Sequence, residues 1–129
     1  LLPSGRTWAG GAANQYVLAS GTHAAANSWR LYIGTVAKPI AYIIDAAGSA
    51  QTITADAAVA DGANTLAVCT SAGTPTLYVD GVQVAATVAG TTGVIGTQPA
   101  TIYLGSASAA GSTVAYGSKW RAFTGEYRK

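Results

Sequence analysis

The chain has 129 residues, half of them hydrophobic and only 9% charged, against about a quarter charged in an average soluble domain. Alanine supplies 28 residues and threonine and glycine 16 each, with no Met and a single Phe, so the apolar half is mostly small side chains. A net charge of +2 on so hydrophobic a chain excludes charge-driven disorder, and the richest apolar stretch, Leu31 to Ala47, is broken by Lys38, Pro39 and Asp45 before it can span a bilayer.

The length suits one domain over residues 1–129, read as an N-terminal extension (1–14), a body, and a basic closing strand and tail (119–129). The single cysteine, Cys69, has no internal disulfide partner and is expected to be a small buried hydrophobe in an apolar strand. Leu1 to Gly10 shows no basic region followed by an apolar run, so no leader is expected there.

Strand signals dominate. The runs Gln15 to Ala19, Trp29 to Gly34, Ile40 to Asp45, Gln51 to Thr54, Thr65 to Thr70, Thr76 to Val79, Val82 to Ala86, Thr101 to Leu104 and Lys119 to Phe123 are short, β-branched or aromatic, and punctuated by Gly, Ser, Asn, Asp or Pro. No long crossover separates them, which predicts antiparallel pairing. Ala55 to Ala60 is too short for a stable helix, with Gly62 close behind, and reads as a loop or single turn. In Thr76 to Val84 two alternating runs flank Asp80-Gly81, a pair that supplies the positive φ angles of a tight type I′ hairpin.

Alternation assigns faces. Leu77 and Val79 oppose Tyr78, Trp29, Leu31 and Ile33 oppose Arg30 and Tyr32, and Ile102 and Leu104 oppose Tyr103. This pattern predicts an all-β fold, an antiparallel β-sandwich whose inner faces make the core and whose outer face stays accessible. Charge is segregated too. No Lys or Arg lies between Pro39 and Ser118, a stretch carrying −4, whereas the ends carry +6 with four bases in the last eleven residues. A basic end can contact an acidic partner or be a solvated tail. Net +2 with an acidic middle offers no continuous basic stripe, so nucleic acid is not an expected partner.

In chain order, Trp29-Arg30-Leu31-Tyr32-Ile33, the Asp61-Gly62 turn, Thr65-Leu66-Ala67-Val68, Leu77-Tyr78-Val79-Asp80-Gly81 and Ile102-Tyr103-Leu104-Gly105-Ser106 resemble the laminin-G-like, concanavalin A-like sandwich domains. The resemblance covers about residues 15 to 106, and the Tyr-Val-Asp-Gly hairpin is its most distinctive part. It implies a jelly roll of two curved antiparallel sheets, used mostly to bind glycans or proteins and often carried by surface proteins and phage tail or fibre proteins. The chain departs from the pattern in two ways. Ala63-Asn64 stands where the family often has a Trp-His pair, and family members usually have additional strands before the equivalent of Gln15, so the expectation is either a compact version of the sandwich or a strand supplied by a missing segment or neighbouring chain.

Catalysis has little behind it. Glycoside hydrolysis needs two carboxyl groups across the scissile bond, roughly 5 to 10 Å apart, and no two of the five acids lie within four residues of each other. Glu126, the only Glu, is three residues from the end, and Asp61 and Asp80 each precede a turn glycine, where backbone bonding explains them. His23, the only histidine, sits in a loop with no nucleophile elbow nearby. It is either a ligand or interface contact or a loop residue without a role. One His and one Cys do not make a zinc site. No cofactor is expected, with calcium the one metal left open, since relatives of the resembled fold bind it at the loop rim, although no dense Asp/Asn cluster is present.

Binding has residues behind it. Seven Tyr and three Trp against one Phe is a biased aromatic set, and sugars dock by stacking an apolar face on aromatic rings while polar groups satisfy their hydroxyls. Arg30, Tyr32, Tyr78 and Tyr103 are the candidate ligand-binding residues of an outer face, the tyrosines equally able to pack against loops or a neighbouring subunit. Trp29 is assigned to the core, and Trp120 to either role. The expected function is a non-enzymatic adhesion or recognition module that binds a glycan or protein on a virion surface or another extracellular assembly. The rival is a structural decoration or fibre subunit that only packs against neighbouring chains, since strands poor in Lys leave their edges unguarded.

Overall fold

The computed structural model describes residues 14–22, 25–60, 66–71, 74–91, 93, 96–97 and 101–104. Nine strands run through them: β1 Gln15–Ser20, β2 Ser28–Ile33, β3 Pro39–Ile44, β4 Ala50–Ala55, β5 Leu66–Ser71, β6 Thr74–Val79, β7 Val82–Gln83, β8 Ala86–Gly90 and β9 Ile102–Leu104. All pair antiparallel, in a six-stranded sheet of order β8-β4-β3-β2-β1-β9 and a three-stranded sheet of order β5-β6-β7. No helix occurs among the described residues. The two sheets form the antiparallel β-sandwich that alternation predicts.

The core lies between the sheets. Leu31 and Ile33 of β2, Ala41 and Ile43 of β3, and Ile53 and Ala55 of β4 face Leu66 of β5 and Leu77 of β6, with Trp29, Val68, Val79 and Val84 packed at the margin. Leu66 pairs with Val79 and Val68 with Leu77, so alternate residues of both small-sheet strands reach the same apolar layer. Trp29 takes the core position expected of it. A β-bulge interrupts the β1–β2 register between Tyr16 and Leu18. Its extra residue lets Val17 join the core beside Leu18, where strict alternation would turn one of them out.

The β6–β7 hairpin closes through Asp80 (φ 52°) and Gly81 (φ 78°), the two positive angles of a type I′ turn, with Val79 paired to Val82. The strand expected at Val82 to Ala86 is two strands in two sheets. β7 ends at Gln83, Val84 N–H still donates to the Leu77 carbonyl of β6 at 3.0 Å, Asp56 N–H donates to the Ala85 carbonyl at 2.9 Å, and β8 pairs with β4 on the edge of the large sheet. The Val82, Val84 alternation masks this switch, because both valines still run beside β6 and the chain turns away only past Val84.

From β8 the chain reaches the opposite edge of the same sheet, and side chains at its end hold the crossing. The Asp45 carboxylate accepts the N–H of Gly93 at 2.6 Å and those of Ala47 and Ser49 at 2.9 and 2.8 Å. Asn27 Oδ1 accepts Gly96 N–H at 2.9 Å. Gly21 N–H then meets the Thr101 carbonyl as β9 joins β1. The strand expected at Lys119 to Phe123, with Trp120, lies outside the described residues, as do His23, the Asp61-Gly62 turn, Ala63-Asn64 and the side chain of Cys69.

Candidate functional site

Register places the expected site residues. Arg30 of β2 stands opposite Tyr42 of β3 on one side and Ala19 of β1 on the other, and Ala19 stands opposite Tyr103 of β9. Tyr103, Ala19, Arg30, Tyr42 and Thr52 therefore form one row across the outer face of the six-stranded sheet. The next row holds Tyr16, Tyr32, Ile40 and Thr54, with the Tyr16 and Tyr32 rings 5.1 Å apart and inclined at 35°. Three of the four expected residues, Arg30, Tyr32 and Tyr103, thus share a face.

Tyr78 does not join them. It pairs with Ala67 and Gln83 on the outer face of the three-stranded sheet, on the far side of the core. Alternation fixes a residue's face within its own sheet but not the sheet to which its strand belongs. Tyr16 and Tyr42 complete the aromatic set in place of Tyr78, and neither stands out in sequence. Apolar neighbours on both sides hide Tyr42, and the bulge after Tyr16 breaks the alternation that would mark it.

The expectation of an accessible outer face needs correction at its centre. Arg30 is 1% exposed, and Ala19, Ser28 and Tyr16 are buried with it, while Tyr32, Tyr42 and Tyr103 are half-buried. Bulky rings on neighbouring strands crowd the arginine where a sheet face with short polar side chains would leave it in water. Among the described residues no hydrogen-bond partner meets Arg30 Nε, Nη1 or Nη2. An ion kept from water without a partner costs several kcal/mol, so this is the least satisfied group on the face. Burial draws the guanidinium below its ordinary pKa, against the opposing influence of Tyr16, Tyr42 and Tyr32. Burial likewise raises Tyr32, with Tyr16 and Tyr42 adding to the rise and Arg30 opposing it, so its hydroxyl stays a donor at neutral pH.

Carboxylates are not among the residues of these two rows. The described acid nearest to them by register is Asp56, one residue past β4, which reaches Thr87 at the β8 end of the Tyr32 row. Asp45 is committed to backbone N–H groups, bonds that hold its pKa below the ordinary carboxylate range, with Gly93 the largest influence and Ser49 next. Asp56 accepts from Thr87 Oγ1 at 2.9 Å, and Asp80 is exposed in the hairpin turn. Asp61 and Glu126 lie outside the described residues. No three His, Cys, Asp or Glu side chains cluster as a metal site among the described residues, and no helix there is long and apolar enough to cross a membrane.

Two antiparallel sheets about one apolar layer, with aromatic residues on an outer face, define a lectin-like β-sandwich. A family model for the concanavalin A-like lectin/glucanases superfamily, of laminin-G type, matches residues 6–125, and the chain belongs to that superfamily. Neither the curated proteins nor the solved structures yield a match. Membership gives the chain the fold of a carbohydrate- or surface-binding module.

Proposed function

We propose that the protein is a non-enzymatic recognition module that binds a glycan on the outer face of its six-stranded sheet, displayed on a virion surface or another extracellular assembly. The observation that carries the reading is the set of four tyrosines, Tyr16, Tyr32, Tyr42 and Tyr103, around Arg30 in two rows of the face, neither of which holds an acid among the described residues. Rings offer stacking surfaces to a pyranose and hydroxyls offer bonds to its edges, whereas hydrolysis would need carboxyl groups flanking the sugar. The test is a glycan array followed by titration of the best binder against two variants. Tyr42→Ala is expected to weaken binding about two- to ten-fold, and Tyr78→Ala to leave it unchanged. Loss with Tyr78→Ala and none with Tyr42→Ala would move the site to the other sheet, and bond cleavage by the wild type would overturn the non-enzymatic reading.

A second reading, a structural subunit packing against neighbouring chains, is favoured by the edges of the large sheet. Val88 on β8 and Ile102 on β9 are each 44% exposed, and neither strand, each at an edge of the sheet among the described residues, carries a Lys or Arg to guard its backbone groups. Light scattering separates the two: a stable monomer at high concentration opposes the packing role.

A further inference from the structure

We propose that Arg30 makes the tyrosine face selective for acidic saccharides, its guanidinium receiving the carboxylate of a uronic acid or similar sugar while the flanking rings hold the pyranose. The proposal rests on the glycan reading above and names the class of sugar. Three observations support it. The first is the fully buried guanidinium already described, without a hydrogen-bond partner among the described residues. A planar fork of donors matches a carboxylate bidentately and is what such a group requires.

The second is the supply of charge within the fold. Arg30 and Lys38 are the two cations among the described residues, and the described acids, Asp45, Asp56 and Asp80, are placed at a loop, a strand end and the hairpin turn. None of the three pairs with Arg30. An aliphatic side chain would fill the same place in the sheet without leaving a charge unmatched, so a charge here has its use toward something from outside.

The third is the surroundings. Tyr42 stands directly across from Arg30, Tyr32 lies two residues along the same strand, and Tyr16 stands across from Tyr32. Their hydroxyls are hydrogen-bond donors that suit an anion as well as a sugar oxygen. On the other side Ala19 puts no side chain beyond Cβ between Arg30 and Tyr103. Tyr32 and Tyr42 are half-buried, and a turn of either ring, a rotamer change of the kind that partly exposed side chains make within nanoseconds, opens the guanidinium to a ligand. Once engaged, the carboxylate matches the buried charge in a site that excludes water, where the interaction is strongest.

The test is calorimetric titration of the full chain with a glucuronate-containing oligosaccharide, its carboxyl methyl ester and the neutral glucose counterpart. The acid is expected to bind, with the ester and the neutral sugar weaker by about ten- to a hundred-fold, the range of a charge-assisted hydrogen bond. Arg30→Met is expected to abolish that preference and Arg30→Lys, which keeps the charge but not the planar fork, to retain part of it. The lysine variant stands in if the methionine variant does not fold. Equal affinity for all three sugars overturns the acidic selectivity and leaves the glycan reading standing. Binding of none of the three overturns both, and an undiminished preference for the acid in the variants places the recognising charge elsewhere.

Discussion

Two glycines with nearly the same φ separate backbone strain from steric conflict. Gly81 (φ 78°) closes the β6–β7 hairpin and Gly90 (φ 77°) ends β8. An added Cβ at Gly81 meets nothing within 4 Å, whereas at Gly90 it runs into the Ala50 carbonyl oxygen, with the Ala50 carbonyl carbon at 3.4 Å and Gln51 Cα at 3.5 Å. A left-handed conformation costs an L-residue about 1–2 kcal/mol, offset by about 0.4–1 kcal/mol because alanine loses less backbone freedom on folding. Gly81→Ala is therefore expected to lose about 1 kcal/mol. Gly90→Ala carries the same backbone cost and also pushes β8 away from the end of β4, adding about 1–3 kcal/mol for the forced shift. In urea unfolding at unchanged slope, the Gly81 variant moves its midpoint down by about 0.3–1 M and the Gly90 variant by clearly more. Gly81→Asn recovers part of the loss, since asparagine tolerates the left-handed region. Equal midpoints for the two alanine variants, or a larger loss at Gly81, would refute the reasoning.

Leu77 is 1% exposed in the layer between the sheets, and Leu77→Ala is expected to cost about 2–5 kcal/mol, against less than about 0.5 kcal/mol for Val82→Ala at 67% exposed; paired denaturant melts check both. Asp45 has a folded pKa below its ordinary value, so its contribution is fully present above the unfolded aspartate pKa of about 3.9 and is lost as pH falls through the lower folded value. Thermal melts from pH 6 to pH 2 should show that acid limb, and Asp45→Ala should weaken it while lowering stability at neutral pH through loss of the acceptor for three backbone N–H groups. An unchanged acid limb in that variant would show that the tether to Gly93 is not the pH-sensitive element.

The sandwich was legible because its signals are local. Asp80-Gly81 between two alternating runs states both the turn and the register of the strands beside it, and Trp29, Leu31 and Ile33 declare a core face within five residues. The route of the chain between sheets was not, since the departure past Val84 depends on β4 having a free edge, which no residue near Ala85 encodes. The candidate site divides along the same line. Tyr32 and Tyr103 are read off their own strands, but Tyr78 occupies an equivalent local pattern in the other sheet.

The burial of Arg30 is a property of three strands at once. Its own strand gives only an arginine and a tyrosine alternating with tryptophan, leucine and isoleucine, as a solvated outer face would show. The register with β3 sets Tyr42 across from it, and the bulge in β1 keeps Tyr16 opposite Tyr32 while Ala19 comes up beside the arginine. Had the bulge been absent, every residue of β1 beyond Tyr16 would sit on the opposite face, putting Leu18 on the outer face with Tyr16 and Ala19 in the core layer. The same irregularity that sends both Val17 and Leu18 toward the core therefore also shapes the surroundings of the charge. A substitution that straightens β1 is expected to disturb stability and ligand selectivity together, whereas one confined to the β6–β7 hairpin disturbs stability alone.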